Sequence, residues 1–295
     1  MKYKLTVIVH LGEKMDKGVL ETIKKQDEKT NFIIENGPNP SINRNNGAKK
    51  AKTEIIAFVN GHTLLPKDWS KKIRIFFEKY KNIDIVGGPQ LTPKDASYFE
   101  KISGYALSSI FGSGGVSTRY GGKNLIFDAD ETSLSSANIA CRKKVLDKIK
   151  FDENLYPGED PKFISDAKKN CFKLAYSPEI IAFNKRRTNL KEFAMQNFNY
   201  GRVRPKKESF VETLKHPSFI VPSLFLLYLI LLIPLMVIHK WFILPLILYG
   251  ILSVFFSVYE SVKNKDLLAI FILPFIFFTI HLSYGLGFLY GMIKK

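Results

Sequence analysis

Glu159 and Asp160 stand side by side in the run Leu155-Tyr156-Pro157-Gly158-Glu159-Asp160-Pro161-Lys162, and a presented carboxylate can act as a general base. Pro157 and Gly158 break the preceding segment, while Pro161 suits a first helical turn, where its missing N–H is tolerated. The run therefore predicts a helix opening at the acidic pair and reaching about residue 170. The positive end of a helix dipole favours ionised carboxylates there, which suits capping as well as catalysis. Three other groups carry chemistry. Arg44 offers a guanidinium that can fork onto phosphate oxygens at any pH. His62, in Asn60-Gly61-His62, offers an imidazole to a metal. Asp128-Ala129-Asp130-Glu131 spells an Asp-x-Asp. Cys141 and Cys171 are too few for a disulfide framework or a cysteine-based zinc site, and both are expected to be buried thiols.

These groups need a scaffold. Apolar, β-rich runs at 5–9, 31–35, 55–59 and 83–86 alternate with helical patterns at 17–25, 43–52 and 69–79. The alternation predicts an α/β sheet with helices on its faces. Ligands of such sheets bind beyond the carboxyl ends of the strands. The rule selects His10, the segment 35–46 with Glu35 and Arg44, residues 60–62, and 87–90. The glycine-rich segment 111–123 fits neither a Walker nor a dinucleotide pattern and is expected to be a mobile loop. A helix is expected over 189–204, with Phe193, Gln196, Asn197 and Tyr200 at helical spacing.

The last quarter of the 295 residues differs in kind. Residues 217–238 and 241–258 contain no charged side chain, and 267–293 contain one His. Each run approaches the roughly 20 residues that span a bilayer as a helix. Three spans are expected, although only His239 and Lys240 separate the first two runs. Arg202, Arg204, Lys206, Lys207 and Lys215 crowd the approach to the first span, which predicts a multi-pass protein of the cell (plasma) membrane with its front domain cytoplasmic. The formal charge of +17 is spread over helix faces without a basic arm interleaved with aromatics, so anionic lipid and phosphorylated substrates are expected as partners and nucleic acid is not.

Taken in order, Pro40-Ser41-Ile42-Asn43-Arg44-Asn45-Asn46-Gly47, Ile55-Ile56-Ala57-Phe58-Val59-Asn60-Gly61-His62, Gly87-Gly88-Pro89, Gly158-Glu159-Asp160 and the stretch Gln196 to Arg202 resemble the family 2 glycosyltransferases. Within them the chain looks most like the membrane-anchored, succinoglycan-biosynthesis-type subgroup. The resemblance covers roughly residues 5–204 and implies a GT-A (nucleotide-diphospho-sugar transferase), Rossmann-like α/β domain followed by C-terminal transmembrane helices. It divides the chain into a cytosolic transferase domain at 1–204, a basic juxtamembrane linker at 205–216 and a membrane region at 217–293.

What the resemblance implies is an inverting, hexosyltransferase-type enzyme of polysaccharide or glycan biosynthesis. A sugar would pass from a nucleotide-sugar donor to a lipid-linked or glycan acceptor, with Asp160 as base and Glu159 beside it. His10, Glu35, Arg44, Asn60 and Asn138 take donor or nucleotide-binding positions, with Arg44 facing the diphosphate. Asp130, Gln196, Tyr200 and Arg202 take the wall around acceptor and diphosphate. Asn60-Gly61-His62 falls where the family keeps its Asp-x-Asp, so a divalent cation, Mn²⁺ or Mg²⁺, is expected on His62, weakened by the neutral Asn60 or leaning on the substrate's phosphates. The other reading is a catalytically inactive nucleotide- or glycan-binding membrane protein on the same scaffold.

Overall fold

The computed structural model describes residues 3–12, 17–27, 29–207, 213–214 and 216–294, with residue 17 described by its backbone alone. The chain divides into two compact units, Met1–Lys94 with Thr118–Lys185, and Asp95–Ser117 with Arg186–Lys295. Of the expected linker at 205–216, residues 208–212 and 215 lie outside the described residues, and 205–207 are helical.

The strands are β1 (Leu5–Leu11), β2 (Thr30–Asn36), β3 (Ile55–Asn60), β4 (Thr63–Leu64), β5 (Ile85–Gly87), β6 (Gln90–Leu91), β7 (Ile126–Phe127), β8 (Asn138–Arg142), β9 (Leu174–Tyr176) and β10 (Ala182–Asn184). The helices are α1 (Lys17–Lys24), α2 (Pro40–Lys50), α3 (Trp69–Lys79), α4 (Tyr98–Ser108), α5 (Ile110–Ser113), α6 (Thr118–Gly121), α7 (Lys143–Lys148), α8 (Glu159–Lys169), α9 (Leu190–Lys207), α10 (Val221–Ile238), α11 (Leu244–Asn264) and α12 (Ala269–Ile293).

In the first unit, seven strands form a mixed sheet in the order β2-β1-β3-β8-β5-β9-β7, and β4-β10-β6 form a small second sheet. Successive side chains of a strand point to opposite faces, so an apolar run buried on both sides fills two cores at once. Leu5, Val7, Val9, Ile55, Ala57 and Val59 pack one face with Val19 and Ile23 of α1 and Trp69, Ile73 and Phe77 of α3. Ile8, Ile56 and Phe58 pack the other with Val145, Phe163, Ile164 and Ala167 of α7 and α8. The parallel register sets His10 between Glu35 and Asn60 on neighbouring strands. Residues selected from three separate sequence positions therefore meet at one sheet end.

Strand β8 runs antiparallel between β3 and β5. Its first residue, Asn138, is buried and receives the indole N–H of Trp69 at 2.9 Å. Its amide donates to the carbonyls of Pro89 and Ile180 at 3.1 and 2.7 Å. Helix α2 begins three residues earlier than the pattern predicts, because Asn39 caps it through the amides of Ser41 and Ile42 and Pro40 fits its first turn.

In the second unit, α9 lies against α12 at glycine positions. A Cβ on Gly201 would sit 2.1 Å from the Tyr284 carbonyl oxygen, and one on Gly287 would sit 2.0 Å from that of Phe198. Small residues of this kind let helix backbones approach closely. Three helices, Val221–Ile238, Lys240–Asn264 and Ala269–Ile293, are long and apolar enough to cross a membrane. A 3₁₀ turn at Lys240–Ile243 makes the tight junction between the first two. The second runs past the expected residue 258 to Asn264, and its buried Glu260 is paired with Lys263 at 2.8 Å.

Two expectations are corrected. The segment 111–123 is mostly a series of short helical turns, Ile110–Ser113, Gly114–Ser117 and Thr118–Gly121, instead of a loop. Packing overrides its glycine content: the Phe111 ring stacks on Phe256 and meets Phe277 edge-on, and its carbonyl accepts His281 Nε2 at 2.8 Å. His281 Nδ1 in turn lies 3.0 Å from the Tyr249 hydroxyl, so this imidazole is satisfied on both sides. The second correction concerns the thiols. Cys141 is buried within β8, but Cys171 is exposed, set in a left-handed turn (φ 62°) just after α8.

Phe163 stacks on Phe151 at 4.3 Å, and Phe151 meets Phe58 edge-on at 5.1 Å. Emptying this site by Phe163→Ala is expected to destabilise the first unit by about 3–5 kcal/mol. Denaturant unfolding of the detergent-solubilised chain measures it, and a loss below about 1 kcal/mol would show that the aromatic stack is not a core element.

Candidate active site

The buried face of α2 is polar: Ser41, Asn43, Arg44 and Asn45. Buried polar groups of this kind need partners; Ser41 Oγ and Arg44 Nε have none among the described residues, and the others find theirs as follows. Asn43 donates to the Gly37 carbonyl at 3.0 Å and faces His10 Nδ1 at 2.8 Å. With the amide nitrogen on that side, His10 Nδ1 accepts and its proton sits on Nε2. Asn45 exchanges hydrogen bonds with the backbone of Phe151 in both directions, at 2.9 and 3.0 Å, and also reaches Glu153. The helix thus clamps the loop that leads into α8.

Arg44 carries the clamp to the acidic pair. Its Nη1 donates to Glu159 Oε1 at 2.8 Å, its Nη2 donates to Asn60 Oδ1 at 3.0 Å, and its guanidinium carbon lies 5.3 Å from the Phe151 ring centre. Both ends of the Arg44–Glu159 pair are buried. Arg44 therefore sits inside the protein with its guanidinium engaged, where the sequence suggested a side chain facing a diphosphate.

Gly158 precedes α8 in a left-handed conformation (φ 117°), which a side chain would strain, and its amide donates to Glu159 Oε2 at 3.0 Å. Burial first, and then the neighbouring Asp160 carboxylate, push the Glu159 pKa upward, while Arg44 pulls against them. The two carboxylates are consequently unlike. Glu159 is buried with both oxygens engaged, whereas Asp160 is half-buried and accepts from Ser135 Oγ at 2.9 Å and the Ser136 amide at 3.3 Å through Oδ2 alone. Asp160 Oδ1 stays outside those two bonds.

Glu35 pairs with Lys50 at 2.6 Å beside His10. His62 lies exposed in the turn between β3 and β4. Asn138, expected at the donor, is instead committed to holding Trp69 and two loop carbonyls. Asp130 bonds the Thr132 amide at 2.8 Å and shapes its own turn. Gln196, Tyr200 and Arg202 belong to α9 in the second unit. Sequence reasoning gave no role of their own to Asn43 and Asn45; the one available signal was an asparagine-rich helix with no apolar stripe.

Residues 16–149 match the family described as Glycosyl transferase family 2. No curated protein matches the chain. Mannosyltransferase PcManGT from Pyrobaculum calidifontis, in a structure with GDP-Man and Mn²⁺, is 10% identical, with 100% of this chain and 88% of that chain covered at a TM-score of 0.57. S. aureus TarS 1-349 in complex with UDP is 17% identical at a TM-score of 0.46, with 66% of each chain covered. The chain spans 40% of the longer S. aureus TarS structure. The mixed α/β sheet is a GT-A fold, and the family match together with it supports a family 2 glycosyltransferase.

Among the described residues, no group of three His, Cys, Asp or Glu is placed to hold a metal ion. At the position of the expected Asp-x-Asp, Asn60 already carries an Arg44 N–H. These donors do not fit a protein-built divalent site.

His10 titrates at about 4 instead of its ordinary 6.5, chiefly through burial, then through the charges of Arg44 and His62. The folded protein resists protonating it, so its contribution to stability is whole above about pH 6.5 and is lost as pH falls toward 4. The drop in thermal unfolding midpoint between pH 7 and pH 5 is therefore expected to be smaller in His10→Gln than in the wild type. Equal drops would show that His10 is not held neutral by the fold.

Proposed function

We propose that this chain is a membrane-anchored, inverting glycosyltransferase that passes a hexosyl unit from a nucleotide-sugar to a lipid-linked or polysaccharide acceptor. The single observation that carries the reading is the asymmetry of the acidic pair: Glu159 locked by Arg44, Asp160 bonded through one oxygen at the start of a helix. That is how a base is held in place while one oxygen is kept for a substrate proton. The resemblance to the succinoglycan-type subgroup, resting on the motif order, supports polysaccharide or glycan biosynthesis as the setting.

In this mechanism the acceptor hydroxyl gives its proton to Asp160 as its oxygen bonds to the anomeric carbon. The bond from that carbon to the nucleoside diphosphate breaks on the opposite face, and the configuration inverts. His10, Glu35 and Asn60, brought together at the sheet end, are the residues for the nucleotide and its ribose. Arg44 holds Glu159, and through it the helix that carries the base. The resemblance supports acceptor-side roles for Asp130 and, separately, for Gln196, Tyr200 and Arg202. No step passes through a divalent cation, because the Asn60–His62 turn does not fit one.

Arg202, Arg204, Lys206 and Lys207 lead into the three apolar helices, which supports a multi-pass protein of the cell membrane with the transferase domain on the cytoplasmic side. Nucleotide release by the detergent-purified chain, across UDP-, GDP- and other nucleotide-sugars with a crude lipid acceptor, tests the transfer. One donor is expected to turn over, and Asp160→Asn to lower that rate by about 10²–10⁴-fold. A donor that binds without turnover would favour the inactive-scaffold reading.

A further inference from the structure

We propose that Asn60 anchors a fixed guanidinium and is not a metal ligand, so that the positive charge at the carboxyl end of β3 is Arg44 itself. The proposal deepens the transferase reading and relies on it only for the identity of the donor.

The Asn60 side chain has one acceptor oxygen, and it receives the Arg44 Nη2 proton at 3.0 Å. A divalent ion on that oxygen would stand within a few ångströms of a permanent cation, in partly buried surroundings where charge repulsion is poorly screened. Glu159 does not relieve the conflict. It is buried, with one oxygen bonded to Arg44 and the other to the Gly158 amide, so its charge is already spent on the guanidinium. An aspartate at position 60 would add a second carboxylate to the guanidinium and lower the net charge there by one. The asparagine instead leaves one cation, one carboxylate and a neutral amide, joined through the two Arg44 hydrogen bonds.

The same bonds have a positional consequence. Arg44 joins the end of β3 to the first residue of α8, and Asn60 is the β3 end of that link. Removing the amide should loosen the turn that presents Asp160, whether or not any metal is present. Asn60 is thus a positioning residue acting through Arg44, and its loss is felt at residues 151–160.

The test uses the full chain in detergent, with Mn²⁺ alone as the probe, and compares wild type, Asn60→Ala, Asn60→Ser and Arg44→Lys. Bound Mn²⁺ is counted by loss of the free-ion electron paramagnetic resonance signal, and the turn is followed by hydrogen exchange of residues 151–160. The expected result is Mn²⁺ affinity unchanged within about twofold by either Asn60 variant, with exchange in the turn at least about tenfold faster in each. Arg44→Lys, which keeps the charge but loses the fork, should speed the same exchange. Micromolar Mn²⁺ binding by the wild type that weakens tenfold or more in Asn60→Ala would overturn the proposal. Unchanged exchange in all three variants would overturn it too. Both readouts are independent of turnover, so failure of every nucleotide-sugar to react would count against the transferase reading alone.

Discussion

The ion pair between Arg44 and Glu159 is the interaction on which the site depends. Taking both charges out of water is costly, and each further hydrogen bond to the pair offsets part of that cost. Here Asn60 meets Arg44 Nη2 and the Gly158 amide meets Glu159 Oε2, Arg44 Nε is buried without a partner among the described residues, and the Phe151 ring lies near the guanidinium. Each partner comes from a different element: the end of β3, the glycine turn, the loop before α8. The pair therefore ties the sheet end, α2 and the start of α8 together, and with them the position of Asp160.

That dependence explains the polar interior of α2. Asn43 ties it to His10, Asn45 to the Phe151 backbone and Arg44 to Glu159, so a segment of the Asn-Arg-Asn-Asn type becomes a brace between the sheet and the helix that carries Asp160. In the second unit, backbone contact at Gly201 and Gly287 sets α9 against the apolar helix α12. Phe111, packed among Phe256, Phe277, Tyr249 and His281, fixes the 95–117 segment to the same helices. Residues with strong local preferences for loops are here held by what they pack against.

The strands were legible because a run such as Leu5 to Val9 has few alternatives when both of its faces are covered, and the sheet-end rule then picked His10, Glu35 and Asn60 from spacing alone. The apolar helices were legible for the same reason: hydrophobic length admits few readings. Arg44 was found, but its burial was not foreseen. A polar helix shows no apolar period, so nothing in the sequence says that its polar side is the buried one. The bonds of Asn138 to the Trp69 indole and two loop carbonyls are equally invisible to local pattern. The antiparallel passage of β8 through the sheet centre and the exposure of Cys171 follow from chain topology, which local pattern does not record.

The central claim is that the carboxyl ends of β1, β2 and β3, braced by Arg44, hold a nucleotide. Photoaffinity labelling with azido-uridine and azido-guanosine diphosphates, followed by peptide mapping of the full chain, tests it most directly. Label is expected on peptides containing His10, Glu35 or residues 60–62, competed by excess unmodified nucleotide. Label confined to the basic segment of α9, or spread without competition, would contradict it.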